Sequence, residues 1–285
     1  MHVAVLGAGT MGRDIAHVCA VAGHEVTLRD VDYSVLSEAR DHIASNLDGG
    51  IDRGKLTEDE RAAALDRLTT TTDLDALAGA ELAVEAVPED IELKHAVLSE
   101  AESVLAADAL VGTNTSSLSV TSVMDCLRDP SRGVGLHFFN PAYVMGLVEV
   151  VTGERTSEET RAAAESFVTD IGKETVTVTD TPGFASSRLG VALGCEAMRM
   201  VESGVADAAD IDAAMELGYR HPMGPLELTD VVGLDVRLDI LEYLRAELGE
   251  RFKPPQLLKR KVRAGKLGKK TGEGFYVWND GEPIR

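Results

Sequence analysis

The chain has 285 residues, enough for one large or two ordinary domains with a real core. Its 44% hydrophobic content excludes a disordered polymer, and no apolar run reaches the about 18 residues that a membrane-spanning helix needs. A net charge of −20 argues against nucleic acid or an anionic membrane surface as partner.

The first residues, from His2 to Leu6, read as a core strand rather than a signal peptide. They run into Gly7-Ala8-Gly9-Thr10-Met11-Gly12 and then an amphipathic stretch with Ile15, Ala16, Val18, Cys19 and Val21 at helical spacing, stopped by Gly23. Glu25 to Arg29 reads as a second strand, closed by Asp30. Strand, glycine turn, helix, strand and acid together form a dinucleotide-binding fingerprint. Gly7 makes the tight turn, Gly9 lets the backbone approach a pyrophosphate, and Gly12 lets helix and strand pack closely. Backbone N–H groups at the helix start, from Thr10 and Met11 onward, face the phosphates. Asp30 accepts from ribose hydroxyls and repels a 2′-phosphate, so the expected cofactor is NAD rather than NADP.

A charged helical segment follows at about 33–67, then strand candidates at 81–87, 109–113 and 132–137, with a helix at about 89–106. Alternating strands and helices imply an α/β, Rossmann-type, doubly wound parallel sheet. Ligands of such sheets bind beyond the carboxyl ends of the strands. Glu89, the cluster Thr113 to Ser117, and His137 fall at those ends.

Residues 135–151 read GLHFFNPAYVMGLVEVV and place one acid, Glu149, inside an apolar strand-like run. A buried carboxylate requires compensation. His137, twelve residues upstream, supplies it if the carboxylate orients the imidazole as a general base. Otherwise His137 is a hydrogen-bonded core histidine, and the Ser/Thr cluster is a turn with local hydrogen bonds.

Residues 176–183 read as a strand ending in a turn, and the pattern then becomes helical. Leu189, Leu193, Ala197 and Val201 suit a long helix ending at Gly204, with further helices over 207–217 and 226–248. The expected domains are therefore 1–181, binding NAD, and a smaller all-α domain, 182–285. Residues 251–272 hold nine Lys or Arg and no acid, either a solvated face or an island that attracts anionic ligands. Elsewhere lysine is scarce, nine in all against nineteen arginines, which suits a salt-rich, halophilic cytoplasm as well as a merely acidic protein. Cys19, Cys126 and Cys195 lack metal-ligand spacing, so no metal is expected, and a reducing, cytoplasmic compartment is.

Six segments carry a resemblance to a known family. They are Asn114-Thr115-Ser116-Ser117-Leu118, Gly135 to Pro141, Leu147 to Val150, Thr181 to Phe184, His221 to Pro225, and Gly268 to Tyr276. In order and over nearly the whole chain, they resemble the 3-hydroxyacyl-CoA dehydrogenases of the short, single-function type. The resemblance implies NAD-dependent, reversible oxidation of (S)-3-hydroxyacyl-CoA, an acyl pocket in the helical domain, and a homodimer. It implies His137 as base, Glu149 as its partner, and Ser116 as contact to both substrate and cofactor. Glu89, Lys94, Asn140 and Lys270, with Asp30, match cofactor contacts; Arg53 and Asn46 fall where the CoA moiety is met. One position departs: Ser187 stands where the family usually has an asparagine near the substrate. A shorter hydroxyl lacks the amide's simultaneous donor and acceptor. Two alternatives remain: a dehydrogenase of a free 3-hydroxy or sugar acid such as L-gulonate, and a catalytically silent, crystallin-like nucleotide-binding relative.

Overall fold

Val3 to Leu6 are almost fully buried, and their strand is the third in an eight-stranded sheet. The computed structural model describes residues 1–285, and the chain divides into two units, Met1–Thr181 and Pro182–Arg285. In the first unit the order is β1 (His2–Leu6), α1 (Thr10–Val21), β2 (Glu25–Arg29), α2 (Tyr33–Asp52), α3 (Glu58–Asp66), β3 (Leu68–Thr71) and β4 (Leu82–Glu85). There follow α4 (Ile91–Glu102), β5 (Leu110–Thr113), α5 (Val120–Met124), β6 (Gly133–Phe138), β7 (Leu147–Thr152), α6 (Glu158–Asp170) and β8 (Glu174–Thr179).

The sheet order is β3-β2-β1-β4-β5-β6-β7-β8, and the first six strands are parallel. That part is the doubly wound dinucleotide-binding order, with its reversal between β1 and β4. The expectation of a parallel sheet fails at β7, which runs antiparallel to β6. Only residues 139–146 join the two strands, too few for the crossover of about a dozen residues that a parallel neighbour demands.

Two further features depart from the sequence reading. The segment 33–67 is two helices: Gly54, at φ +65°, lets the chain turn, and Thr57 and Glu60 form a capping box that starts α3. β3 was not anticipated, because LTTT offers one buried apolar residue, Leu68, and no alternation.

The second unit holds α7 (Ser186–Glu202), α8 (Ala208–Tyr219), α9 (Pro225–Val232), α10 (Leu234–Leu248) and α11 (Gln256–Arg263), ending in the hairpin β9 (Val277–Asn279) and β10 (Glu282–Ile284). Gly233, at φ +107°, divides the expected 226–248 helix in two. Helix α7 buries Val191, Cys195, Ala197 and Met198, whereas Leu189 and Leu193 are exposed. Periodicity located that helix but not the face it buries, since both faces are apolar. Two buried acids fasten the C-terminal segment. Asp230 accepts from the backbone N–H groups of Phe275 and Tyr276 and from Trp278 Nε1, and Asp212 accepts from Tyr276 Oη at 2.7 Å.

Candidate active site

The glycine turn after β1 fits a dinucleotide on geometric grounds. Gly7 sits at φ +98°, and a Cβ on Gly12 would stand 1.8 Å from the Gly7 carbonyl oxygen. A Cβ on Gly9 would meet nothing within 4 Å, so that face of the turn is open to a ligand. Gly9 caps α1 without a side-chain hydrogen bond, which leaves the first N–H groups, including those of Thr10 and Met11, available to phosphate oxygens. Asp30, beyond β2, accepts from Ala8 N–H at 2.8 Å, tying the acid to the turn. These residues suit NAD, with the carboxylate at the ribose end.

Beyond β4 and β5 lies a charged cluster. Glu89 Oε1 accepts from Thr115 Oγ1 at 2.6 Å, from Ser116 N–H at 2.9 Å, and from Ser117 N–H and Oγ at 3.0 Å each. Burial alone would raise the Glu89 carboxyl, but the Lys94 ammonium and these donors outweigh it and hold it below its ordinary range. Ser116 is thus fixed through its backbone, its Oγ lying 3.5 Å from Glu89.

The resemblance assigns Lys94 to the cofactor, yet the structure buries it to 1% exposure. Its ammonium donates to both oxygens of Glu85, at 2.8 and 3.0 Å, and to the Val87 carbonyl, and lies 3.3 Å from Glu89. Within the chain, Lys94 thus links Glu85 to Glu89. Glu85 itself escaped the sequence reading. It is buried at the end of β4 and also accepts from Thr113 Oγ1 and Val87 N–H. The signal was present, because Glu85 is an acid inside the apolar run ELAVEAV, as Glu149 is inside LVEVV.

His137 and Glu149 meet as directly opposed residues of β6 and β7. The antiparallel pairing brings two side chains twelve positions apart onto one face. Nδ1 of His137 lies 2.7 Å from Glu149 Oε2, with the residues 6% and 1% exposed. A carboxylate oxygen accepts, so Nδ1 carries the hydrogen and Nε2 is left as the basic nitrogen. Phe139 packs against the imidazole, ring centroids 4.5 Å apart, and Asn114 Oδ1 accepts from Phe138 N–H, joining the β5 loop to the strand that carries His137. Asn140 is exposed just beyond β6, before a cis peptide bond to Pro141.

A cleft of about 740 Å³ opens in the same unit between α1, the C-terminal half of α2, the β6–β7 connection and the end of α6. Asn46, Arg53, Lys55, Lys173, His17 and Tyr143 line it. The expected pair Asn46 and Arg53 therefore share one cavity. Asn46 Nδ2 is buried without a protein partner, and Arg53 folds over Gly49, where a Cβ would stand 3.1 Å from its Nη1.

In the second unit, Ser187 is the second residue of α7. The cap is Ala185, with no side-chain bond, so Ser187 does not cap the helix. Lys270 pairs with Asp235 at 2.6 Å. Of the two alternatives for the basic island, its engagement within its own unit favours the solvated face over a free anion-attracting patch. Lys259 pairs with Glu242 and Lys266 with Glu273, Lys261 donates to the Gly274 carbonyl, and Lys269 stacks over Trp278.

Comparisons with known proteins cover both units. Residues 2–181 match the family model described as 3-hydroxyacyl-CoA dehydrogenase, NAD binding domain, and residues 183–278 match its C-terminal domain. A 3-hydroxybutyryl-CoA dehydrogenase of Mycobacterium tuberculosis is 43% identical over 279 residues, covering 97% of this chain and 98% of the relative. One from Bradyrhizobium diazoefficiens is 39% identical over 283 residues, covering 99% and 97%. Among solved structures, (S)-3-hydroxybutyryl-CoA dehydrogenase PaaH1 from Ralstonia eutropha superposes with a TM-score of 0.94 at 38% identity, covering 98% of this chain and 99% of that one.

Proposed function

The chain belongs to the 3-hydroxyacyl-CoA dehydrogenase family, and on that premise we propose that His137, oriented by Glu149, is the general base of its NAD-dependent reaction. The observation that carries this reading is the buried 2.7 Å contact between His137 Nδ1 and Glu149. The Gly7–Gly12 turn and Asp30 would hold NAD, which would supply the acceptor for the hydride from C3 of a 3-hydroxyacyl-CoA. His137 Nε2 takes the proton of the 3-hydroxyl. The charge that forms on the imidazole is matched by the Glu149 carboxylate behind it. Ser116, set by Glu89, hydrogen-bonds the substrate oxygen. In the reverse direction the same imidazolium returns the proton to the 3-oxo group.

The cleft beside α2 is read as the receptor for the CoA moiety. Its size and its cations, Arg53, Lys55 and Lys173, suit a phosphate-bearing arm better than a small free acid. Exposed apolar side chains on α7 and α8, Leu189, Leu217 and Tyr219 among them, support a homodimer. Gain of NADH absorbance on adding 3-hydroxybutyryl-CoA with NAD, compared with free 3-hydroxybutyrate and L-gulonate, tests the substrate class. The reading requires turnover of the thioester at least 100-fold better than of either free acid, judged by kcat/KM. Equal turnover would transfer the enzyme to the free-acid class, and no turnover of any of them would favour the silent, nucleotide-binding alternative.

A further inference from the structure

The strand hairpin that carries His137 and Glu149 is closed by residues 139–146, and charged side chains from outside the hairpin grip that connection. Both polar backbone atoms of Ala142 are taken in this way. Asp14, on α1, accepts the Ala142 N–H through Oδ2 at 3.2 Å. Lys173 donates to the Ala142 carbonyl at 2.7 Å and to the Met145 carbonyl at 2.6 Å. Gly172, at φ +73°, turns the chain after α6 so that Lys173 stands at the start of β8. Tyr143 stacks on His17 of α1, ring centroids 5.3 Å apart.

Both charged groups are costly to place there. Asp14 is 2% exposed, its Oδ1 is sealed without a hydrogen-bond partner, and burial pushes its pKa up. Burial pushes that of Lys173 down, and its ammonium donates to carbonyls rather than to an acid. Apolar side chains would fill the same space without that desolvation cost. What the charged pair adds is direction. A carboxylate accepts from the N–H on one side and an ammonium donates to the carbonyl on the other, which fixes the orientation of Ala142. The connection needs such support, because its internal backbone bonds both go to one acceptor, the Pro141 carbonyl, from Val144 and Met145. Those two side chains are exposed. Phe139, which packs on the His137 imidazole, and Asn140 lie just before the gripped residue.

We propose that Asp14 and Lys173 are positioning residues of the reaction, a two-sided clasp on Ala142 that holds Phe139 against the His137 imidazole and Asn140 at the end of β6. The inference rests on the reading of His137 as the base. Lys173 also lines the cleft beside α2, and an ammonium with two N–H groups committed keeps a third for an anion there. Kinetics separate the two roles.

Lys173→Met and Asp14→Ala each remove one side of the clasp. With NAD saturating, each should lower kcat on 3-hydroxybutyryl-CoA by about 10²-fold, the scale of a misplacement near 1 Å. The same loss should appear on the 3-hydroxybutyryl thioester of pantetheine, which offers Lys173 no phosphate. Lys173→Arg still donates to carbonyls and Asp14→Asn still accepts the Ala142 N–H, so each should recover about tenfold of the loss. All variants are assayed below their thermal unfolding midpoints, so that lost fold is not counted as lost rate. A raised KM for the CoA thioester with kcat unchanged would overturn the proposal and leave Lys173 as a ligand of the arm. So would a loss in Lys173→Met that Asp14→Ala does not share, or one that the conservative variants fail to recover. Full kcat in both clasp variants while His137→Gln is inactive defeats this inference alone; full kcat in His137→Gln defeats the base reading itself.

Discussion

Replacing Glu149 by Gln removes a charge and keeps a side chain of nearly the same shape. The carboxylate is almost fully buried, and its Oε2 lies 2.7 Å from His137 Nδ1. With charge centres about 4 Å apart and an effective dielectric near 20, carboxylate and imidazolium attract by about 4 kcal/mol. That attraction is absent while the imidazole is neutral, so it lowers the barrier rather than the ground state. Its loss corresponds to about 10³ in kcat. A glutamine amide also offers its NH₂ to Nδ1, which favours the tautomer with hydrogen on Nε2 and removes the base. NADH formation from NAD and 3-hydroxybutyryl-CoA measures kcat, and NADH fluorescence titration measures cofactor affinity. The expected result is a loss of about 10³ in kcat with NADH affinity within about threefold of wild type. A loss below about tenfold in kcat, or an equal loss in affinity, would show that Glu149 does not act through the imidazolium.

Three further outcomes follow from the geometry. Asp30→Ala removes the acceptor of the Ala8 N–H and the acid beside the expected ribose, so the ratio of kcat/KM for NAD over NADP should fall by at least about tenfold; an unchanged ratio would displace Asp30 from that role. Lys94→Met leaves Glu85 buried and uncompensated, and denaturant unfolding should report a loss of about 3–5 kcal/mol, part of it recovered in the Lys94→Met/Glu85→Gln double variant; strict additivity would mean the two do not form a pair. His17 is buried, and burial followed by the nearby His42 and Lys173 lowers its pKa from 6.5 to about 4. Its folded value lies below the unfolded one, so the stability it contributes is fully present above pH 6.5. That stability is lost as pH falls towards about 4, by about 3 kcal/mol. His17→Phe keeps the stack on Tyr143 and should flatten unfolding free energy over that window; an unchanged slope would assign the acid sensitivity elsewhere.

How far the sequence disclosed the site depended on local signals. The glycine turn, its helix and Asp30 lie within thirty residues, and each has a backbone reason to be where it is. Glu149 was legible because a carboxylate in an apolar strand demands a partner. Glu85 carries the same signal, and its partner Lys94 is buried on the face of α4 that also buries Leu98 and Ala101. The antiparallel turn into β7, which makes His137 and Glu149 opposite neighbours, was implicit in the shortness of their connection. What periodicity could not give was burial. It marked α7 as helical from Leu189, Leu193, Ala197 and Val201 but not that Leu189 and Leu193 are exposed, and it gave no hint that the buried Arg237 lacks an acid. Both are properties of packing between helices distant in sequence.

The most direct test is the His137→Gln variant, assayed for acetoacetyl-CoA-dependent NADH oxidation beside NADH binding. With Nε2 as the proton carrier, kcat should fall by about 10²–10⁴ while the cofactor binds as in wild type. Turnover within a few-fold of wild type would contradict the account.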